Sequence, residues 1–454
     1  MSVLRCLLVV ASVVAASAQA ELKLPPIFAD HMVVQRDTPV PIWGRAAPNE
    51  KLVIALGERR CETAADASGA WRAEIPATPA GGPFKLTITA STSTLTLEDV
   101  LVGEVWFCGG QSNMEFKLPS ALNGDKEAAE ADFPQIRTFN VDKVIAPTPQ
   151  EEAKGKWFVC SPANAKEFSA VAYFFAREIY ASTKVPIGLI HASAGWTPAE
   201  AWMPRDALMA QPELRYIAER WDGIESTFES RTRQHARQME VWKKAAEKAK
   251  AEGKPEPGKP AAPPDPKFLH RASGLYNGSV YPLTRYALRG VIFYQGETNE
   301  VRGMQYRRLF PALIQGWRKA WNKELPFFYV QLANVLPPDP EPSESEWAEL
   351  RESQLLSLNM PHTGMAVAID IGEANDVHPK NKQDVGKRLS LWAETKCTAK
   401  PSSSRARSIS RSRSKARKYA SRLTTPEAWP PKTARSSRAL QSRAKTGVST
   451  RLKR

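Results

Sequence analysis

The chain has 454 residues, 42% of them hydrophobic and 24% charged, with a formal net charge of +15 and five cysteines. That length excludes a single small domain and predicts one large domain with a smaller companion. The charge does not mark an acidic partner for the body of the protein: residues 394–454 hold 18 Lys and Arg against 2 acidic residues, a net of +16, so residues 1–393 sum to −1.

At the N-terminus, Arg5 precedes an apolar run from Leu7 to Ala16, and Ala18-Gln19-Ala20 supplies the small residues of a cleavage site. Residues 1–20 therefore read as a cleaved secretory signal, because the run is shorter than the roughly 20 residues a membrane span needs. No later segment is long and apolar enough to span a membrane, so the protein is expected to be secreted or periplasmic. Export permits disulfides, and Cys61, Cys108, Cys160 and Cys397 remain after the signal. A Cys108–Cys160 bridge and two separately buried thiols are both compatible with the sequence, and no spacing suggests a zinc site.

Residues 21–100 alternate apolar and polar positions in short runs punctuated by Gly, Pro, Asn and Asp, as in Leu52-Val53-Ile54-Ala55-Leu56 and Phe84-Lys85-Leu86-Thr87-Ile88-Thr89. This predicts a small β-sandwich-like module. From residue 101 to 393 the pattern becomes β/α alternation. Strands are expected at Val102–Cys108, Ile187–Ala192, Gly290–Tyr294, Phe327–Leu332 and Gly364–Asp370, with helices at Ala170–Tyr180 and Gln305–Trp321. The fold class is α/β, a doubly wound and mostly parallel sheet with its site at the carboxyl ends of the strands.

Residues 205–270 break the rhythm. Leu214, Ile217, Trp221, Ile224 and Phe228 fall on one helical face, and a Pro-rich stretch from Lys254 to Pro266 follows, so an inserted helical arm with an extended linker is expected. Residues 394–454 have the composition of a basic disordered tail, with Ser-Arg repeats from Ser408 to Ser414. A nucleic-acid-binding arm fits poorly with export. The abrupt change after Trp392-Ala393 is better explained by a reading-frame shift near codon 394, which resequencing tests directly, and no nucleic-acid partner is expected.

Ser112 follows a predicted strand and two glycines in Gly109-Gly110-Gln111-Ser112-Asn113-Met114, where a sharp turn can present a nucleophile. A serine capping the following helix is the plainer alternative. Met114 excludes the G-x-S-x-G elbow. A base is available at His378 in Asp376-Val377-His378-Pro379, with Asp376 as its partner and Asp370, Glu373 and Asp384 as competing carboxylates. Two further loops past strands offer oxyanion donors, the backbone N–H of Gly195 and the side-chain amide of Asn299. Trp196 and Gln295 beside them are candidates to stack on and hydrogen-bond a sugar, with packing roles equally open. No metal-ligand spacing is present, and no cofactor is expected.

The blocks Gly109–Glu115, Gly195–Trp202, Tyr294–Asn299 and Asp376–Lys380 resemble, in order, those of the sialate O-acetylesterase family of SGNH-type hydrolases. The resemblance covers residues 25–393. It implies a three-layer flavodoxin-like α/β/α domain and hydrolysis of acetyl esters on sugars, most directly on sialic acid. It implies Ser112 as nucleophile, His378 as base, and Gly195 and Asn299 as oxyanion donors. Asp376 lies two residues before the histidine where SGNH hydrolases at large have the acid three before it. The alternatives are an acetylxylan-type polysaccharide deacetylase and an inactive secreted carbohydrate-binding protein.

Overall fold

The computed structural model describes residues 21–397 apart from Thr92 and Pro342, so the expected signal segment and nearly all of the basic tail lie outside the described residues. The chain opens with seven strands: β1 (Val33–Gln35), β2 (Val40–Arg45), β3 (Lys51–Leu56), β4 (Arg59–Ala64), β5 (Ala70–Ile75), β6 (Gly81–Thr89) and β7 (Thr94–Gly110). In β3 the side chains of Leu52, Ile54 and Leu56 alternate inward, and in β5 those of Trp71, Ala73 and Ile75 do the same. The period of two buries one face of each strand and leaves the other to water. β2 and β5 form an antiparallel pair, while β4, β3, β6 and β7 form a second antiparallel set with β1 added parallel to β7.

β7 joins the two parts of the molecule. Its first residues, Thr94 to Asp99, are alternately exposed and half-buried, whereas every residue from Val100 to Gly110 is buried. The switch from alternating to continuous burial marks the point where one strand leaves the small module and enters a sheet covered on both faces. The compositional boundary at residue 100 thus falls inside a single strand.

The second part runs α1 (Ser112–Glu115), α2 (Gly124–Ala129), β8 (Phe133–Val141), β9 (Gly155–Cys160), α3 (Ala170–Thr183), β10 (Ile187–Ser193), α4 (Arg205–Met209), α5 (Pro212–Ala251), β11 (Gly290–Tyr294), α6 (Gly303–Trp321), β12 (Phe327–Val330), α7 (Glu346–Leu356), β13 (Thr363–Ala366) and α8 (Lys382–Cys397). The sheet order is β13-β12-β11-β7-β10-β8-β9, parallel except for β9 at one edge. Consecutive residues of β7 show why helices lie on both faces. The Trp106 ring meets Phe175 of α3 at 5.0 Å, and the Phe107 ring meets Trp317 of α6 at 5.0 Å. Each fully buried aromatic of this kind contributes roughly 1.5–3 kcal/mol through lost apolar surface. On the α3 face, Gly386 of α8 packs so tightly on Phe174 that a Cβ there would lie 2.5 Å from the Phe174 Cβ.

The central strand β7 has β10 on one side and β11 on the other, and the chain winds away from it in both directions. That is the switch point at which open α/β sheets carry a crevice. Cys108 and Cys160 are buried free thiols, so no bridge joins them.

The insert forms α4 and the 40-residue α5, about 60 Å long at 1.5 Å per residue. Only its base is buried, through Leu214, Ile217, Ala218, Trp221 and Ile224. The Pro-rich segment returns along the outer half: the Trp242 indole N–H donates to the Pro257 carbonyl at 2.8 Å, and His235 Nε2 lies 3.3 Å from the Pro260 carbonyl. No helix among the described residues is long and apolar enough to cross a membrane.

Candidate active site

The turn after β7 depends on Gly110. Its φ of +145° lies in the region that favours glycine, and a Cβ there would sit 2.0 Å from the carbonyl oxygen of Tyr294. The chain can therefore bend sharply beside β11 and start α1 at Ser112. Gln111, not Ser112, occupies the N-cap position, and it makes no side-chain cap. The Ser112 hydroxyl is instead directed to the histidine loop, where its Oγ lies 2.8 Å from His378 Nε2.

His378 stands in the 367–381 loop between β13 and α8. Asp376 Oδ1 accepts the His378 backbone N–H at 2.8 Å and lies 3.4 Å from His378 Nδ1. The competing carboxylates are held elsewhere. Asp370 pairs with Arg388, Glu373 accepts the Lys380 N–H, and Asp384 accepts from the Asn381 amide. The cleft over Ser112 has a volume of about 600 Å³ and is also lined by Gly195, Trp196, Glu297, Thr298 and Val377.

Gly195 follows β10 and packs directly on the serine. A Cβ at this position would stand 3.5 Å from Ser112 Cβ and 3.1 Å from Glu115 Oε2. Its N–H donates to Glu115 Oε2 at 2.6 Å, and the other Glu115 oxygen takes the Lys143 ammonium at 2.6 Å. A carboxylate oxygen thus rests on the N–H expected to serve as oxyanion donor. Trp196 is 69% exposed and holds a φ of +62°, a strained conformation for a bulky residue.

The other two predicted residues are placed differently. Asn299 is fully buried and does not line the cleft: its Nδ2 donates to Glu200 Oε2 at 3.0 Å, while its Oδ1 accepts from the Ala199 N–H at 2.9 Å. Gln295 is also buried, donating to Asn299 Oδ1 at 2.7 Å and accepting from the Tyr306 hydroxyl at 2.9 Å. Both sit one layer beneath the cleft because the turn after β11 is closed inward by Glu200 and Tyr306, whose polar ends need buried partners.

A polar group that residue-by-residue reading passed over lies under the nucleophile. The Asn113 amide donates to Glu297 Oε1 at 2.5 Å and to the Val377 carbonyl at 3.0 Å, and its oxygen accepts the Lys382 ammonium at 2.5 Å. One asparagine therefore joins the serine turn, the loop after β11, the histidine loop and the start of α8. Burial lowers the Lys382 pKa to about 7, partly offset by the nearby Glu297 carboxylate. Burial likewise raises the Glu297 pKa above the ordinary carboxylate value. The signal was present in sequence, since Asn113 and Glu297 fall inside two of the four blocks and Lys382 lies four residues after His378. Among the described residues, no group of three or more His, Cys, Asp or Glu side chains is placed to hold a metal ion.

Ser112 and His378 thus lie at hydrogen-bond distance in the crevice of a doubly wound sheet. Residues 269–392 match the family described as carbohydrate esterase, sialic acid-specific acetylesterase. Over 404 residues the chain is 30% identical to the sialate O-acetylesterase of Rattus norvegicus, covering 80% of this chain and 71% of that protein. The chain belongs to the sialate O-acetylesterase family. The human sialate O-acetylesterase is 28% identical over 80% of this chain and 68% of its own length. A carbohydrate acetylesterase from Xanthomonas citri has a solved structure that is 37% identical, with a TM-score of 0.68, covering 82% of this chain and 74% of that one. As a member of this family the chain is a carboxylic ester hydrolase, and the three-layer fold with its β-rich N-terminal module is that of a carbohydrate esterase.

Proposed function

We propose that the protein hydrolyses O-acetyl esters on sugars, most directly those of sialic acid, with Ser112 as nucleophile and His378 as general base. The observation that carries this reading is the 2.8 Å approach of Ser112 Oγ to His378 Nε2 at the carboxyl end of the central strand. Neutral His378 takes the Oγ proton while Oγ attacks the acetyl carbonyl. The imidazolium then protonates the departing sugar oxygen, leaving acetyl-Ser112. His378 next deprotonates a water that attacks the acetyl group, and acetate leaves as Ser112 regains its proton. For Nε2 to accept, Nδ1 must carry the hydrogen, and Asp376 Oδ1 at 3.4 Å is the carboxylate positioned to face it.

The oxyanion is assigned to the N–H groups of Ser112 and Gly195. The incoming carbonyl oxygen takes the place that Glu115 Oε2 holds on Gly195, with the carboxylate drawn off toward Lys143. Asn299, with both ends of its amide engaged, holds the Gly195–Trp202 segment against the turn after β11. The leader-like composition of residues 1–20 supports export of the enzyme from the cytoplasm.

The experiment is acetate release from O-acetylated sialic acid and from acetylated xylan, measured side by side. The reading expects turnover of the sialic acid ester at a higher kcat/KM. Preference for the xylan would overturn the substrate assignment, and turnover of neither would overturn the activity.

A further inference from the structure

A second cleft opens beside the Ser112 cleft, at the base of the helical arm, with a volume of about 390 Å³. It is a built extension of the first, since Thr298 lines both. The wall between them is made by Trp196 and His270: the His270 ring N–H donates to the Trp196 carbonyl at 2.7 Å, and the two rings meet edge to face at 5.7 Å. The Phe268 ring lies tilted against His270, with centroids 4.6 Å apart. The arm closes the other side with Tyr216 and Arg220 on the first turns of α5.

Three large aromatic side chains are left in solvent around this path, Trp196 at 69%, Tyr216 at 52% and Phe268 at 42% exposed. Exposed aromatics gathered along one groove mark a recognition surface. Arg220 makes no ion pair among the described residues and lines the same cleft. The volume is in the range of pockets that take a small ligand such as a saccharide unit. With the acetyl-bearing sugar at Ser112, as the esterase reading has it, the adjoining cleft lies where a group attached to that sugar would reach.

We propose that the base of the arm is a glycan subsite: the substrate is an acetylated oligosaccharide, and a sugar adjoining the acetylated one lies against Trp196, Tyr216 and Phe268 with its polar groups on Arg220 and His270. This deepens the esterase reading and rests on it. The arm is accordingly a specificity element. It leaves the acetyl transfer unaltered and selects chains over free monosaccharides.

The test uses the full chain and the combined variant Tyr216→Ala, Arg220→Ala, Phe268→Ala, whose side chains are exposed and outside the reacting centre. Substrates are an aryl acetate, monoacetylated xylose against monoacetylated xylotetraose, and O-acetylated sialic acid against O-acetylated sialyllactose. The wild type is expected to favour at least one oligosaccharide over its monosaccharide by tenfold or more in kcat/KM. The variant loses that advantage through KM and keeps aryl acetate turnover within about twofold. The pair that shows the preference distinguishes a neutral from an anionic chain. Equal rates on mono- and oligosaccharides, or a preference that survives in the variant, would overturn the subsite. Should the aryl acetate not be turned over, the esterase reading is what fails. Calorimetric binding of xylotetraose and sialyllactose to Ser112→Ala, with and without the three arm substitutions, then decides the subsite alone: binding lost with the arm residues supports it, and binding unchanged or absent overturns it.

Discussion

Asn113 is the residue on which the geometry of the site turns, because its amide ties the serine turn to the loop after β11, the histidine loop and the start of α8. Replacing it with alanine leaves the Lys382 ammonium and the Glu297 carboxylate buried without their common partner. Unmade hydrogen bonds to buried charged groups cost about 1.5–3 kcal/mol each, so Asn113→Ala is expected to lower stability by about 2–4 kcal/mol in denaturant unfolding. It should also lower kcat on an aryl acetate by about 10- to 100-fold with little change in KM, since the histidine loop loses its tie at Val377. Unchanged kcat in a folded variant would show that the loop is held by other contacts. Gly195→Ala is a sharper local change. A methyl group 3.5 Å from Ser112 Cβ and 3.1 Å from Glu115 Oε2 presses on the nucleophile, so activity should fall by about tenfold or more while the melting temperature moves little. A second titrating residue lies off the site. His191 on β10 is buried, lies 2.8 Å from the Ser193 hydroxyl, and has its pKa lowered by burial to about 3. Between pH 6.5 and 3 the unfolded chain binds a proton there that the folded chain does not. Stability from this group is complete above pH 6.5 and is lost as the pH falls, at about 1.4 kcal/mol per pH unit. Urea unfolding at pH 6.5 and pH 5, compared with His191→Gln, measures it; the variant should show the shallower loss.

At the scale of elements, what could be read from the sequence was what burial writes plainly. β10, β11 and β12 are covered on both faces, so they appear as unbroken apolar runs and their starts match the expected ones. β8 escaped notice because Pro134, Arg137 and Thr138 interrupt its apolar residues. Arg137 is nonetheless buried, donating to the Asp99 carbonyl at 2.5 Å and to its carboxylate at 2.9 Å. A strand whose polar residue is satisfied by a partner 38 positions away carries no local pattern that would show it. Arg137→Leu should therefore lower stability by about 2 kcal/mol in thermal or urea unfolding, because the Asp99 groups lose a charged donor. β13 erred in the other direction. It ends at Ala366, and Val367 and Ile369, which prolong the apolar run in sequence, are 42% and 47% exposed in the loop leading to His378. In the site, the sequence blocks around Ser112, Gly195 and His378 come together at one cleft. The direction of each side chain is set by tertiary partners distant in sequence: Asn299 and Gln295 turn beneath the cleft to Glu200 and Tyr306, and Glu115 turns onto the Gly195 N–H.

For the whole molecule, the base of α5 is packed and its outer half is not, since the last buried residue of this 40-residue helix is Ile224. Replacing residues 229–263 with a short Gly/Ser linker should leave the melting temperature within about 4 °C, as little apolar surface is uncovered. A larger drop would mean that the outer arm is covered in a way its exposure does not show. The proposed mechanism requires above all that Ser112 be the group that takes the acetyl. An organophosphate that labels activated serines, followed by intact-mass and peptide mass spectrometry, reads this directly. The wild type should gain one adduct, on Ser112, with loss of aryl acetate turnover in proportion, and Ser112→Ala should gain none and release no acetate while melting as the wild type does. An adduct on another residue, or acetate release by folded Ser112→Ala near the wild-type rate, would contradict it.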